Sequence, residues 1–305
     1  MPTIQQIIER AILRLDENNT ANQNDLWTVT ELIDYADEAQ MEACRRADLL
    51  KEKNDPDLCH VIVQSDEPDY ALHPKALRVI EAYLGPSVWG DLSWQAATRT
   101  LVDPLNGMLN AGFLAGTIVM VKGFTRAGNN GVFTIAGVTA GGLTVAETTM
   151  TDETGNLVWA KSPQKPLTKR TRNQMDYEFG IWNNLRGEPD YFITEAPGEL
   201  VLAPIPKQNY AIDMIVTRLP KVSFVGLDPT RTIPEIADQY HYDLVDWICH
   251  LAYLKRDADS FNGELADHFE KSFDRKFGPR PSARAEQDRR ARPRPRMPYP
   301  REFGF

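Results

Sequence analysis

The sequence has little of what marks a secreted, membrane-bound or catalytic protein. It holds three cysteines, Cys44, Cys59 and Cys249. An odd number at wide spacing builds neither a disulfide framework nor a metal-ligand set, so synthesis in a reducing compartment is expected. No apolar run approaches the roughly 20 residues that span a bilayer. The longest, residues 112–121, contains two glycines and ends at Lys122. No basic stretch followed by an apolar core stands at the amino terminus, so no export signal and no membrane association are expected.

Catalytic patterns are equally scarce. There is no Gly-rich phosphate loop with a following Lys-Ser/Thr, and no nucleophile elbow. Of the five histidines, His60, His73, His241, His250 and His268, only His241 and His250 are close in sequence. On a helix that spacing turns them about 180° apart, which forbids chelation of one metal, so each histidine is expected to be structural. The acid pairs Asp243/Asp246 and Asp257/Asp259 read as the charged outer side of a helix. Trp182, Trp247 and Tyr240 read as core or subunit-contact aromatics, because no basic residues interleave with Trp247 or Tyr240 to make a base-stacking platform. No catalytic, cofactor-binding or metal-binding residue is assigned, no cofactor is implied, and an enzyme is not expected.

What is present is ordinary globular material, 305 residues with 42% hydrophobic and 25% charged content, about two domains' worth. The net charge of −9 is unevenly divided. Residues 278–305 hold eight Arg, no Lys and three acids, a charge of +5 that leaves −14 on the preceding 277 residues. An acidic body carries a basic, proline-rich tail.

Along the chain, residues 3–16 put Ile4, Ile7, Ile8, Ala11, Ile12 and Leu15 on one helical face, with Thr3 and Gln6 as a capping box. Thr28 and Glu31 offer a second box for a helix over residues 31–51, ending before Pro56. Extended pieces follow at 61–64, 70–72 and 77–84. From about Ala115 the composition turns to Gly, Thr and Val, alternating in GTIVMVKGF, NNGVFTIAGV and GGLTVAET, which predicts a small inserted domain of hairpins. Strands are predicted at 191–195, 199–203 and 210–218, and helical periodicity returns from Pro234 to about Phe277.

The fold class expected is therefore α+β: a helical bundle from the N- and C-terminal helices, a central antiparallel β region with a small inserted β-domain, and an extended C-terminal arm. Its parts are residues 1–100 and 161–277 as body, 101–160 as insertion and 278–305 as arm. The run ARPRPRMPYPREFGF cannot enter a helix or sheet interior, since alternating prolines remove donors and fix φ near polyproline II values. Its arginines alone would suit nucleic acid. Met297, Tyr299, Phe303 and Phe305 add apolar anchors that an electrostatic tail does not need, so an arm docking on a protein is favoured. The residues expected to bind a partner are Arg289, Arg290, Arg292, Arg294, Arg296, Met297, Tyr299, Phe303 and Phe305.

The segment GEPDYFITEAPGELVLAPIPKQNYAIDMIVTRLP, followed by IPEIADQYHYDLVDWICHLAYLKRDAD and a Phe-rich short helix, resembles the head-to-tail adaptor (connector) proteins of tailed bacteriophages. The order Gly-x-Pro, aromatic, strand, Gly turn, strand, Pro-x-Pro, strand and Arg-x-Pro carries the likeness. The resemblance implies a virion structural protein at the head-tail interface that forms a ring, expected to have twelve members, beneath the portal. Its implied partners are the portal protein, neighbouring adaptor subunits and a tail nozzle or tube protein, with a tail fibre as a further candidate. DNA would pass through the lumen without sequence-specific binding. The insertion GFTRAGNNGVFTIAGVTAGGLTV is similar to small β-modules of phage virion proteins. The alternative is an accessory binding module whose β-insertion recognises a tail fibre, a nozzle or a saccharide.

Overall fold

Thr3 and Thr28 each open a helix in the computed structural model, which describes residues 1–17, 26–256 and 260–291. The Thr3 hydroxyl accepts from Gln6 N at 3.4 Å while Thr3 N donates to Gln6 Oε1 at 3.1 Å. Thr28 and Glu31 reciprocate in the same way at 3.2 and 2.8 Å, satisfying amides that the first turn leaves without helical partners. Among the described residues there are seven α-helices: α1 (Ile4–Glu17), α2 (Val29–Ala47), α3 (Pro56–Cys59), α4 (Arg172–Phe179), α5 (Leu244–Leu254), α6 (Gly263–Phe277) and α7 (Ala283–Ala291). The chain divides into two units, Met1–Lys51 with Lys75–Leu77 and Thr217–Glu286, and Glu52–Pro74 with Arg78–Val216 and Gln287–Phe305.

The first unit is the helical one. The isoleucine stripe of α1, the alanine stripe of α2 (Ala36, Ala39, Ala43), and Leu244, Ile248 and Phe273 from α5 and α6 make its core. Small residues on α2 let neighbouring helices approach, and α5 is buried almost all round, which is why its sequence is apolar on nearly every face. Two differences from the sequence reading have local causes. Helix α2 stops at Asp48, whose φ of 51° is left-handed, and Leu50–Glu52 is a strand. Residues 234–243 are not α-helical: Asp238–Asp243 is a 3₁₀ turn, and His241 Nε2 reaches back to within 2.8 Å of the carbonyl of Ile236, which precedes that turn.

The second unit contains a closed barrel of six strands, in the order Glu153–Lys161, Ser87–Gln95, Thr100–Val102, Gly142–Val145, Gly131–Thr139 and Ile118–Lys122. Closure is made by Glu153–Lys161, which pairs Trp159 with Trp89 on one side and with Lys122 on the other. Period-two alternation sends Val119, Val121, Phe133, Ile135, Leu143 and Val158 inward. Met108, Ala111 and Phe113, from the segment after Asp103, join that core. The barrel starts before the Gly/Thr-rich composition does, because the strand Ser87–Gln95 carries large aromatics rather than glycine and threonine. The ends of the insertion meet: Ser162 N donates to the Pro86 carbonyl at 2.9 Å, and a Cβ on Gly85 would stand 3.0 Å from Gln164 Cα.

Tyr210–Arg218 pairs with His60–Val63, from Tyr210↔Val63 to Asp213↔His60, and Lys165–Pro166 pairs with Ala76–Leu84, all within one five-stranded sheet. A four-stranded sheet runs Thr168–Lys169, Tyr191–Ile193, Glu199–Ala203, Asp69–Ala71. The central β region expected to be antiparallel is mixed instead. Thr168–Lys169 lies parallel to Tyr191–Ile193, and Arg186–Gly187 parallel to Ile205–Pro206. The long returns through α4 and through the 191–203 hairpin permit this, since parallel pairing needs a crossover and not a tight turn. The arm is also corrected: residues 283–291 form α7 and are not extended. The segment ARAEQDRRA holds no proline and is rich in helix formers; residues 292–305 lie outside the described residues.

Candidate functional site

A dense buried polar cluster of the second unit centres on Asp213, which the strand pattern Tyr210–Arg218 gives no reason to single out. Its side chain is buried, and five groups converge on it. Oδ1 lies 2.9 Å from His60 Nδ1 and accepts from Ser87 Oγ at 2.9 Å and Trp89 Nε1 at 3.2 Å. Oδ2 accepts from Gln164 Nε2 at 2.7 Å and pairs with Lys161 Nζ at 2.8 Å. Burial alone would push this carboxyl up; the His60 hydrogen bond and the Lys161 charge outweigh it and hold it well below the usual carboxylate range. The Lys161 ammonium also lies over the Trp89 ring at 4.1 Å.

A serine, a histidine and an aspartate are together here, yet the arrangement is not a nucleophile relay. Ser87 Oγ and Asp213 Oδ1 both approach the same ring nitrogen of His60, Nδ1, and Ser87 donates to the carboxylate itself. A relay needs the serine on the opposite nitrogen. The cluster is a clamp that joins the barrel strands Ser87–Gln95 and Glu153–Lys161 to the strands of His60 and Asp213.

Two further titratable groups singled out from the sequence make structural contacts. His250 Nδ1 lies 2.9 Å from the Ala266 carbonyl. Asp246 does not lie on a solvated outer face as expected: it is buried and accepts from Arg14, Ser272 Oγ at 2.8 Å and Lys276 Nζ at 2.9 Å, which ties α1, α5 and α6 together. Asp257 and Asp259 lie outside the described residues. Trp182 and Trp247 are core residues, and Tyr240 packs against the core half-buried. The thiols of Cys44 and Cys249 are buried and pushed up to about 12 by that burial.

What the surface offers is apolar. Three groups of large exposed side chains stand out. In the first unit, Val222, Val225, Leu227 and Ile233 are exposed on one loop around the buried Phe224. That loop is held in shape: Phe224 N and Ser223 Oγ donate to Asp37 at 2.9 and 3.0 Å, and Lys221 N and Val222 N to Glu235 Oε1 at 2.6 and 2.8 Å. On the barrel, Ile118, Met120 and Val132 face outward, with Met120 and Val132 directly paired across strands, and Leu105, Leu109 and Leu114 are exposed on the preceding segment. In the second unit, Tyr177, Phe179, Ile181 and Leu185 are exposed on and just after α4. Exposed apolar groups in sets mark contact surfaces more than single ones do.

None of these three groups was legible as a site in the sequence; only the unusual density of Tyr, Phe, Ile and Leu at 177–185, outside any helical period, signals the third. Of the nine residues expected to bind a partner, Arg289 and Arg290 lie in the last turn of α7, where the Arg290 carbonyl accepts from Thr194 Oγ1 at 3.5 Å. Arg292, Arg294, Arg296, Met297, Tyr299, Phe303 and Phe305 lie outside the described residues.

The family described as SU10 adaptor protein matches residues 144–297, half of the chain, from the last barrel strands through the sheets, α4 to α7 and into the tail. No curated protein matches the chain. The chain belongs to the SU10 adaptor protein family, a family of phage structural adaptors.

Proposed function

We propose that this adaptor-family chain assembles as a ring, with twelve copies expected, between the portal and the tail of a tailed bacteriophage, closing the neck and passing DNA through its lumen. The family match over residues 144–297 carries this reading. The exposed apolar sets support it, because a ring joined head to tail needs two unlike surfaces on every copy. The 221–233 loop and the 176–188 segment differ in charge, the first holding Lys221 and Arg231 against Asp228, a net +1, the second Asp176, Glu178 and Glu188 against Arg186, a net −2. The −14 body suits a channel wall that repels phosphate. The 278–305 arm, with Arg289, Arg290 and the residues beyond them, binds a protein neighbour, either the portal or a sister subunit.

Native mass measurement with and without isolated portal rings tests the assembly. Monomers that join a dodecameric portal as a closed ring are the expected result; a stable free dimer without portal affinity overturns the reading. Neutral or basic lumen residues in an image of the assembled neck would overturn the charged-wall argument.

A second reading, in which the barrel recognises a tail fibre, nozzle or saccharide, is favoured by one observation: the barrel closes on its own core yet presents Ile118, Met120 and Val132 to solvent. Because Ser162 N already bonds to the Pro86 carbonyl, residues 87–161 can be excised and the ends joined by a short linker. Ring assembly that survives excision while an accessory partner is lost supports this role.

A further inference from the structure

One sheet of the second unit ends in an open edge. Asp69–Ala71 is the last strand of the four-stranded sheet and pairs on one side only, with Glu199–Ala203. The register fixes which way its backbone points. Leu202 N donates to the Pro68 carbonyl at 2.9 Å and Leu72 N to the Gly198 carbonyl at 2.7 Å, and Tyr70 stands opposite Leu200 between them. Bonded positions alternate in an antiparallel ladder, so Pro68, Tyr70 and Leu72 face the sheet while the N–H and C=O groups of Asp69 and Ala71 face outward. Both residues are exposed.

The edge is held in shape. The Tyr70 hydroxyl donates to the Glu67 carbonyl at 2.6 Å and accepts from Gln64 N at 3.0 Å. Ser65 N donates to Asn209 Oδ1 at 3.0 Å and Asp66 N to the Pro206 carbonyl at 2.7 Å. A partner therefore meets a strand that is already extended, and the ordering cost of binding falls mainly on the partner. Pro68 and Pro74 bracket the strand, which limits the edge to one short segment.

Its charge is of one sign. Residues 64–74 hold Asp66, Glu67 and Asp69 and no Lys or Arg. Asp66 is paired with Arg186 at 2.9 Å, whereas Glu67 and Asp69 are exposed and make no ion pair among the described residues. Carboxylates at the edge disfavour the same edge of a second copy, since like charges across a strand pair repel, and favour a basic strand.

We propose that the Asp69–Ala71 edge is a docking site for an extended, basic segment of a partner polypeptide, which adds to the sheet as a further strand. Backbone bonds exchanged with Asp69 and Ala71 supply the affinity, and Lys or Arg of the added strand set against Glu67 and Asp69 supply the preference. The site stands on the sheet geometry and not on the ring reading, so either can fail without the other.

Titration of the isotope-labelled full chain with a short peptide of alternating Lys and Thr, followed by NMR, tests it. The expected result is saturable binding in which the Asp69 and Ala71 amide resonances move and their hydrogen exchange slows several-fold. Ala71→Pro removes an outward N–H without touching a ladder bond, and is expected to keep the fold and weaken binding about tenfold, the worth of one such hydrogen bond. If that variant fails to fold, the same peptide N-methylated throughout, which cannot donate, is expected to lose binding to the native chain. Asp69→Lys should turn the preference towards a Glu-Thr peptide. No binding of the Lys-Thr peptide, binding unchanged by Ala71→Pro in a folded chain or by N-methylation, or equal binding of the Glu-Thr peptide to the native chain overturns the proposal. Slow exchange of the Asp69 and Ala71 amides in the protein alone overturns it as well, and a slowing that deepens with concentration gives the edge to a second copy.

Discussion

The helical unit and the barrel hold themselves together in opposite ways. The helical unit is made from the two ends of the sequence, Met1–Lys51 and Thr217–Glu286, and ionic groups are buried in its seams. Arg46 is fully enclosed, donating to Glu42 at 2.8 Å, to Asp274 and to the Gly278 carbonyl at 3.2 Å, with its guanidinium 4.7 Å from the Trp247 ring. Asp246 is enclosed among Arg14, Ser272 and Lys276. The barrel is continuous, residues 87–161, and its closed ladder satisfies the strand backbone with an apolar interior. Its polar device, Asp213, comes from outside it. A unit assembled from distant segments needs directional contacts to choose among packings of similar helices. A closed barrel has its register fixed by the apolar alternation that each strand must turn inward.

The sharpest break of this contrast is dissection. A fragment of residues 85–164 is expected to give a cooperative thermal transition alone, whereas residues 1–51 alone should show little helix by circular dichroism, since α1 and α2 bury their stripes against α5. A non-cooperative barrel fragment would remove the distinction.

Within the helical unit, Arg46→Ala leaves Glu42 and Asp274 without their buried counter-charge and is expected to cost about 3–5 kcal/mol in urea unfolding. Loss below about 1 kcal/mol would mean that the network behaves as a surface pair.

At the edge of the barrel, Asp213→Asn is expected to cost about 2 kcal/mol, because five donors lose a charged acceptor. The native carboxyl is held below its unfolded value near 3.9. Its contribution is therefore complete above about pH 4 and declines as pH falls through the lower folded value. The variant should lose that part of the acid sensitivity, and a parallel acid profile for both proteins would reject the clamp.

The smallest effect is a gain. Burial, and next the charge of Arg78, lower the Lys169 ammonium to about 8, so the charged form is disfavoured on folding and stability should rise as pH climbs from about 8 towards the unfolded value near 10.4. Lys169→Met is expected to add about 1 kcal/mol near neutral pH and to flatten that rise, despite losing the bond to the Val79 carbonyl; a destabilised variant would show that the bond outweighs the burial.

Several of these elements were legible from the residues alone. Thr3, Thr28 and their partners three residues on start α1 and α2 because a capping box is local, and the hairpins around Gly131 and Gly142 follow from alternation and turn residues. Helix α7 was hidden by the prolines on either side of it, which drew the reading towards an extended chain although nine proline-free residues suffice for a short helix. Asp213 was hidden by its own strand: among alternating apolar positions an aspartate reads as solvent-facing, and no local signal tells that His60, Ser87 and Lys161 close over it. The 177–185 face was hidden because exposure, unlike periodicity, is not written in a short irregular segment.

The sequence determined where helices begin, where strands turn and how charge divides between an acidic body and a basic tail, since each depends on neighbours a few residues away. Only the tertiary structure decided that Ser87–Gln95 closes a barrel with Glu153–Lys161, that Arg46, Asp213 and Asp246 are buried and paired, and which apolar residues remain in water. Those outcomes depend on chain segments tens to hundreds of residues apart meeting in space, and burial is a property of the meeting and not of the residue.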